Sequence, residues 1–482
     1  MRRVSPALMW YLAALGSAVV VGPVGPVYWD TFGYVTQAVT GGIGGLGVGR
    51  PVFAMATQGV AFVWQQVGGS VWDLEVVLRV ACLLASAFAA PLTRRLALDA
   101  GLSDRAAHVA AAFVAAAPAF AHSSATVLTD GPSTTFVLLT WIVAIRALRN
   151  GHPGTAALAG LWFGLALGLR EASMFSAATV LCLGWMASPR PRLKLVLVFG
   201  LVTGLVVALP MVWVYLTQPG YVATIYNWLE GLEHDSALKA WDWREARLVV
   251  YWLFLFGPLP LVLTVIFIRR WREAGPWRVG LVVPAWFQWG VMTTYMGIAY
   301  SPRYLMTAFP AAMAIPAAWL LDRRLGTPVG KRTRQALVLA LCLPLLGARL
   351  IIRPYEAKLL AISSGLAADL SRVPPDAIIV TGHACPAVPM IRALVKVEPR
   401  LGMHAPEWTE ICPGWGWPDD VAATLDGHLA AGRTVVLDMR DDAWQGPEQL
   451  RSRDDLRRYA QARSPRHPGA VILWEPRPDR VQ

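Results

Sequence analysis

Ionisable residues interrupt this 482-residue, largely apolar chain at a few places where their types suggest chemistry. Asp30 stands among aromatic rings in Tyr28-Trp-Asp-Thr-Phe-Gly-Tyr34. A carboxylate so placed beside a membrane cavity has the character of a general base for a hydroxyl proton. It equally suits the N-cap of a helix lying on the interface. Asp130, in Leu128-Thr-Asp-Gly-Pro-Ser133, has a natural role as a cap for the helix that follows. Arg170-Glu171 breaks the apolar segment Gly164–Met174, where an isolated charge is expensive, so mutual pairing or a phosphate on Arg170 is expected. Arg303, in Tyr300-Ser-Pro-Arg-Tyr-Leu305, opens an apolar run from which it can snorkel to the interface. Arg79 follows Glu75 by one helical turn and can pair with it. His122 and His234 stand alone, without metal-ligand spacing.

The elements that must position these groups are membrane helices. The chain is 55% hydrophobic and 15% charged, with mean hydropathy +0.46. Soluble domains carry nearer 25% charged residues. Its 22 tryptophans fit a membrane–water boundary. The net charge of +12 sits in short loops between apolar runs. It therefore reflects orientation in an anionic membrane, and no nucleic-acid partner is expected.

Apolar runs of spanning length fall near Ala7–Val27, Leu74–Leu92, Ala106–Ala121, Pro132–Leu148, Gly154–Leu169, Ala172–Ala187, Leu193–Leu216, Leu248–Ile268, Val279–Ile298, Tyr304–Leu321 and Ala336–Ile352. About eleven spans are expected. Alternate loops are rich in arginine and lysine (Arg94, Arg95, Arg105; Arg146, Arg149; Arg190, Arg192, Lys194; Arg269 to Arg278; Arg323 to Arg334), whereas the intervening ones hold few. That asymmetry predicts a cytoplasmic N-terminus in an inner, cytoplasmic membrane, with a C-terminal domain on the exterior or periplasmic side. Four of the spans, between residues 106 and 187, are short. Exterior turns between short helices sink below the surface, which makes Asp130 and Arg170-Glu171 candidates for lining a cavity.

Residues 1–352 thus read as a membrane domain, with a long exterior loop at 28–73 and another at 217–247. The aromatic and charged alternation of the second (Tyr226, Trp228, Trp241, Trp243) suits an interfacial helix. Residues 353–482 change character. The β-branched runs Ala377–Val380, Thr434–Leu437 and Ala470–Leu473 alternate with helical stretches at Asp419–Ala431 and Glu448–Gln461, the pattern of a small α/β domain. Cys385 and Cys412 lie in this exported part, where a disulfide between them is plausible. Gly42-Ile-Gly-Gly-Leu-Gly47 has the letters of a dinucleotide fingerprint but lacks the strand and helix that give the motif its function. Gly326 to Arg332 falls short of a phosphate-binding loop and reads as a cytoplasmic basic loop.

Taken in order, an exterior Asp30 after the first span, Gly49-Arg50-Pro51, Arg79, Thr129-Asp130-Gly-Pro132, Arg170-Glu171 and Pro302-Arg303-Tyr304-Leu305 resemble the C-type membrane glycosyltransferases. The similarity is to the lipid-linked-sugar-dependent branch that includes protein mannosyltransferases and the aminoarabinose transferase, and it covers about residues 1–355. Thr31 follows Asp30 where that family commonly has a second acid, and Arg170-Glu171 lacks an intervening proline. The resemblance implies a polytopic α-helical fold and transfer of a sugar from a polyprenyl-phosphate carrier, with inversion, on the non-cytoplasmic face. Asp30 would be the base, and Arg303 or Arg170 would meet the departing phosphate. Asp130 and Glu171 would serve the acceptor or a divalent cation. The acceptor would be a lipid, a glycan or a protein, and membrane lipids would surround the donor's tail. A lipid or sugar transporter and a non-catalytic assembly protein are the alternatives. No symmetry between halves favours the transporter.

Overall fold

The computed structural model describes residues 5–23, 25, 29–43, 47–186, 193–226, 257–295, 306–325, 331–382, 385–399, 406–412, 420–440, 450, 452–463 and 469–475. Arg303, His234, Trp228, Trp241 and Trp243 lie outside them, as do parts of the runs at 248–268 and 304–321.

The helices are α1 (Pro6–Val21), α2 (Trp29–Thr40), α3 (Pro51–Gln66), α4 (Leu74–Ala87), α5 (Ala89–Asp99), α6 (Asp104–Ala115), α7 (Pro118–Ser124), α8 (Asp130–Asn150) and α9 (Pro153–Leu169). A 3-10 turn, Glu171–Ser176, leads into α10 (Ala177–Met186), followed by α11 (Leu193–Thr217), α12 (Pro258–Ile268), α13 (Pro276–Tyr295), α14 (Ile315–Leu325) and α15 (Lys331–Leu370). Strands β1 (Ile378–Val380), β2 (Thr409–Ile411), β3 (Val435–Asp438) and β4 (Val471–Trp474) alternate with α16 (Ala387–Val397), α17 (Val421–Ala430) and α18 (Arg453–Arg463).

Among the described residues three helical stretches are long and apolar enough to cross a membrane: Val71–Asp99, Asp130–Asn150 and Leu193–Thr217. The expected run at 106–121 is broken into α6 and α7, bent by 60°. Pro118, with no N–H to donate, opens the second piece. Shorter apolar helices include α1, α9, Glu171–Met186, α12 and Val338–Leu350. Rather than ending near Ile352, the last of the expected spans lies within α15, which continues to Leu370.

The chain forms two compact units. The first comprises Met1–Pro23, Ile43–Ala56 and Arg79–Ile351. Its core is built from small and aromatic side chains of α5, α6, α8 and α14, with Phe113, Val137, Trp141 and Phe309 all buried. At one end of this unit the arginine-rich turns meet. Arg95 and Arg146 both reach Asp99, at 3.1 and 3.2 Å, and Arg149 donates to the Asp99 carbonyl. Arg105 lies 2.6 Å from Asp322, and Arg278 donates to the Gly101 carbonyl. The charge-grouped loops that hold Arg95 and Arg105, Arg146 and Arg149, and Arg278 are therefore grouped in space, whereas Arg190 and Arg192 lie outside the described residues.

The second unit comprises Val24–Gly42, Thr57–Leu78 and Ile352–Gln482. Its sheet is parallel, in the order β2-β1-β3-β4. Alternation along each strand gives it two buried faces. Ile379 and Val436 pack with Leu366, Val388, Ile391 and Trp408, and Phe32 of α2 joins this layer. Ile378, Val380, Val435 and Leu437 pack with Leu425 and Leu456 on the other side. Cys385 and Cys412 are disulfide-bonded, with Cα atoms 5.6 Å apart and a sequence separation of 27. Closing a loop of that size restricts the unfolded chain by about 3–4 kcal/mol. Cys385→Ser is therefore expected to lower the thermal midpoint of this unit, measured by limited proteolysis on heating.

Candidate active site

The glycines of α9 recur every fourth residue at Gly160, Gly164 and Gly168, forming a stripe with no Cβ. On a helix, positions four apart share a face, and small residues there let backbones approach closely. A Cβ at Gly160 would lie 2.5 Å from the Phe199 carbonyl, and one at Gly164 would lie 2.6 Å from Cβ of Val206, so the stripe seats α11. At Gly168 the neighbour is Val52 of α3, 2.3 Å from such a Cβ. This last approach brings the start of α3 against the end of α9, where Arg50 and Arg170-Glu171 stand.

Here the charges pair across rather than along the chain. Arg50 donates from Nε and Nη2 to Glu171, at 2.7 and 2.8 Å, a bidentate fork that fits the planar carboxylate. Arg170 pairs instead with Asp130 on the first turn of α8. Its Nη1 lies 2.5 Å from Oδ1, off the hydrogen-bond line, so the contact is one of charge. The same nitrogen donates to Thr129 Oγ1 at 3.2 Å. Both side chains of this pair are sealed, Arg170 at 2% exposure and Asp130 at 1%. Oδ2 of Asp130 is buried, with no hydrogen-bond partner among the described residues. Two guanidiniums and two carboxylates thus form a neutral quartet. The expected pairing of Arg170 with Glu171 is replaced by two tertiary pairs. The expected cap role of Asp130 is likewise not seen: Thr129 occupies the N-cap, and Asp130 lies inside the helix.

Ser124 Oγ lies 3.4 Å from a Cβ built at Gly131, beside Asp130. Ser123, Ser124 and Ser173 have buried oxygens without hydrogen-bond partners among the described residues. Gly131, next to Asp130, lets α4 approach. A Cβ there would fall 2.0 Å from Ser86 Oγ and 2.8 Å from its Cβ. Gly131→Ala is therefore expected to destabilise by roughly 1–3 kcal/mol through overpacking. Adding Ser86→Gly should recover part of that loss in a detergent melting assay.

Asp30 belongs to the second unit, on the first turn of α2, and is 8% exposed. Phe32, two residues on, is buried in that unit's core and fixes the helix. Arg79 donates to the Pro23 carbonyl beyond the end of α1, and Arg349 donates to that of Gly22. Cations there complement the helix dipole. Among the described residues no three His, Cys, Asp or Glu side chains come together as a metal-ligating group.

Residue spacing alone left Arg50 without a partner and missed Thr129, Gly131 and the α9 stripe. The repeated four-residue glycine interval was the available signal.

The family model described as dolichyl-phosphate-mannose-protein mannosyltransferase matches residues 51–216, a segment that holds Asp130, Arg170 and Glu171. No curated protein sequence matches the chain significantly. Among solved structures, the oligosaccharyltransferase of Archaeoglobus fulgidus, in complex with Zn and sulfate, superposes with TM-score 0.52 at 12% identity, over 81% of this chain and 61% of that one. The chain thus spans about three fifths of the archaeal protein's length. ArnT of Cupriavidus metallidurans, bound to undecaprenyl phosphate, gives TM-score 0.50 at 14% identity, over 82% of this chain and 88% of that one. Its apo form gives 0.51 at the same identity. At these identities the likeness to solved structures is one of fold. Over residues 51–216 the chain is thus similar to that mannosyltransferase family, and its fold is similar to those of the oligosaccharyltransferase and ArnT.

Proposed function

We propose that this protein moves a sugar from a polyprenyl-phosphate carrier to an acceptor hydroxyl, with inversion at the anomeric carbon, on the non-cytoplasmic face of the membrane. The observation that carries the proposal is the sealed Arg170–Asp130 pair with its Arg50–Glu171 neighbour. Such a quartet is costly to build in an apolar helical unit and is retained where charge must be held in place.

Its location supports the choice of face. Asp130 and Arg149 stand at opposite ends of α8. At 1.5 Å per residue they are roughly 29 Å apart, close to a hydrocarbon core of about 30 Å. Arg149 belongs to the arginine-rich end, which the positive-inside rule assigns to the cytoplasm. The quartet then lies at the outer boundary.

In the proposed step the acceptor oxygen attacks the anomeric carbon as the bond from that carbon to the phosphate oxygen breaks. The hydroxyl proton passes to the Asp30 carboxylate, and polyprenyl phosphate departs with the electron pair. Charge grows on the departing phosphate, so fixed cations lower the barrier. The quartet is neutral overall, so its arginines give direction to the field more than net charge. Arg303 is assigned the full countercharge, with Arg170 supporting it. Oδ2 of Asp130 is a buried acceptor that an incoming hydroxyl would satisfy, which favours orienting the acceptor over holding a cation. The structure of ArnT bound to undecaprenyl phosphate lends support to this donor class. The acceptor class is a lipid, a glycan or a protein.

The test is transfer in proteoliposomes from a polyprenyl-phosphate sugar of known anomeric configuration. A single displacement predicts the opposite configuration in the product linkage. Retention would overturn this mechanism.

A further inference from the structure

Among the described residues, five arginines at the arginine-rich end of the first unit are matched by carboxylates. Arg94 pairs with Asp104, Arg95 and Arg146 share Asp99, Arg105 holds Asp322, and Arg323 holds Glu273. The turn between α12 and α13 departs from this pattern. Arg269, Arg270 and Arg272 are all exposed, and among the described residues none of them has a carboxylate partner. The turn's own acid, Glu273, is committed to Arg323 at 2.6 Å. Trp271 lies between the arginines, 46% exposed, with the Arg272 guanidinium 5.9 Å from its ring centre.

The helix leading into this turn says where it sits. Val262, Val265 and Ile268 are spaced three apart on α12, so they share a face, and each is about half exposed. On the following helix Val283 and Phe287, four apart, are exposed as well. Exposed aliphatic faces on the helices of a membrane protein meet acyl chains. The stripe on α12 ends directly at Arg269, which puts three unmatched guanidiniums and an indole at the depth of the headgroups.

We propose that Arg269, Arg270, Trp271 and Arg272 form a binding site for the headgroup phosphate of an anionic phospholipid, whose acyl chains lie along Val262, Val265 and Ile268. Guanidinium matches a phosphate with two parallel hydrogen bonds, and here no acid among the described residues competes for it. A soluble phosphate or a nucleic acid would make no use of the adjoining apolar stripe, which is why a lipid is the favoured ligand. The inference rests on the membrane placement of the helices and not on the transfer chemistry.

Native mass spectrometry of the full chain in detergent, titrated with phosphatidylglycerol or phosphatidylcholine, tests it. The native protein should retain phosphatidylglycerol preferentially, with a preference that falls as salt rises. Arg269→Gln, Arg270→Gln and Arg272→Gln together should weaken that retention roughly a hundredfold, at about a fivefold loss per arginine. Phosphatidylcholine binding should not change. The matched control, Arg94→Gln with Asp104→Asn, should retain phosphatidylglycerol like the native protein. Equal retention of both lipids, an unchanged triple variant, or displacement by glycerol 3-phosphate at concentrations equivalent to the lipid would overturn the site. A second measurement does not depend on the variant's folding. A photoreactive phosphatidylglycerol should crosslink the native chain within residues 262–287, and adducts confined to other segments would count against the proposal.

Discussion

Asp130→Ala is expected to cost about 3–5 kcal/mol of stability, the range for removing one partner of a buried ion pair. The guanidinium of Arg170 would be left 2% exposed without the carboxylate that now lies 2.5 Å away. Thr129 Oγ1 cannot replace that charge. Little folded protein should accumulate, as judged by fluorescence-detected size exclusion after heating. Replacing both partners, Asp130→Leu with Arg170→Met, removes the guanidinium together with the carboxylate. Accumulation should then recover while transfer does not. That pattern separates the pair's structural contribution from its chemical one. A single Asp130→Ala variant that melts like the native protein would show that Arg170 does not rely on Asp130.

The second large effect is expected at Asp30. The Asp30→Asn variant keeps the volume and the hydrogen-bonding shape of the side chain but cannot accept a proton. Loss of a positioned general base typically costs about 10²–10⁴ in rate. Transfer from a labelled polyprenyl-phosphate sugar should fall by that factor, with accumulation and melting unchanged. The same substitution discriminates the plainer role. Asparagine caps a helix about as well as aspartate does. If Asp30 served only to start α2, the variant would transfer sugar at the native rate. The structure gives this plain role little support, since α2 already begins at Trp29 and places Asp30 within its first turn.

Charge cost was the legible part of the site. Arg170-Glu171 in an apolar segment announces that something must neutralise it, whatever the fold. The partners were not legible, because they are fixed by tertiary approach: Arg50 and Glu171 are 121 residues apart in sequence. They meet where Gly168 lets Val52 close on α9, a contact that depends on an absent Cβ. The adjacent-residue pairing expected from sequence was overridden by better geometry, a bidentate fork for one arginine and a sealed carboxylate for the other.

Membrane character and the grouping of basic loops followed from composition and charge alone. The 60° break between α6 and α7 was passed over in an apolar run, although Pro118 marks it. In the tail, β-branched runs mark β1, β3 and β4, whereas β2, Thr409–Ile411, is short and only partly buried, with no apolar run to signal it. The contribution of α2 to the second unit could not be read from the loop at 28–73. It depends on Phe32 packing with residues more than three hundred positions later, such as Ile362 and Leu366.

The most direct measurement follows both fragments of a doubly labelled donor, with isotope in the sugar and in the polyprenyl chain, in sealed proteoliposomes. Sugar label should become covalently attached to an acceptor, while an equal amount of sugar-free polyprenyl phosphate accumulates. Intact donor carried from one leaflet to the other, its two labels never parting, would mean that this protein transports the lipid and performs no transfer.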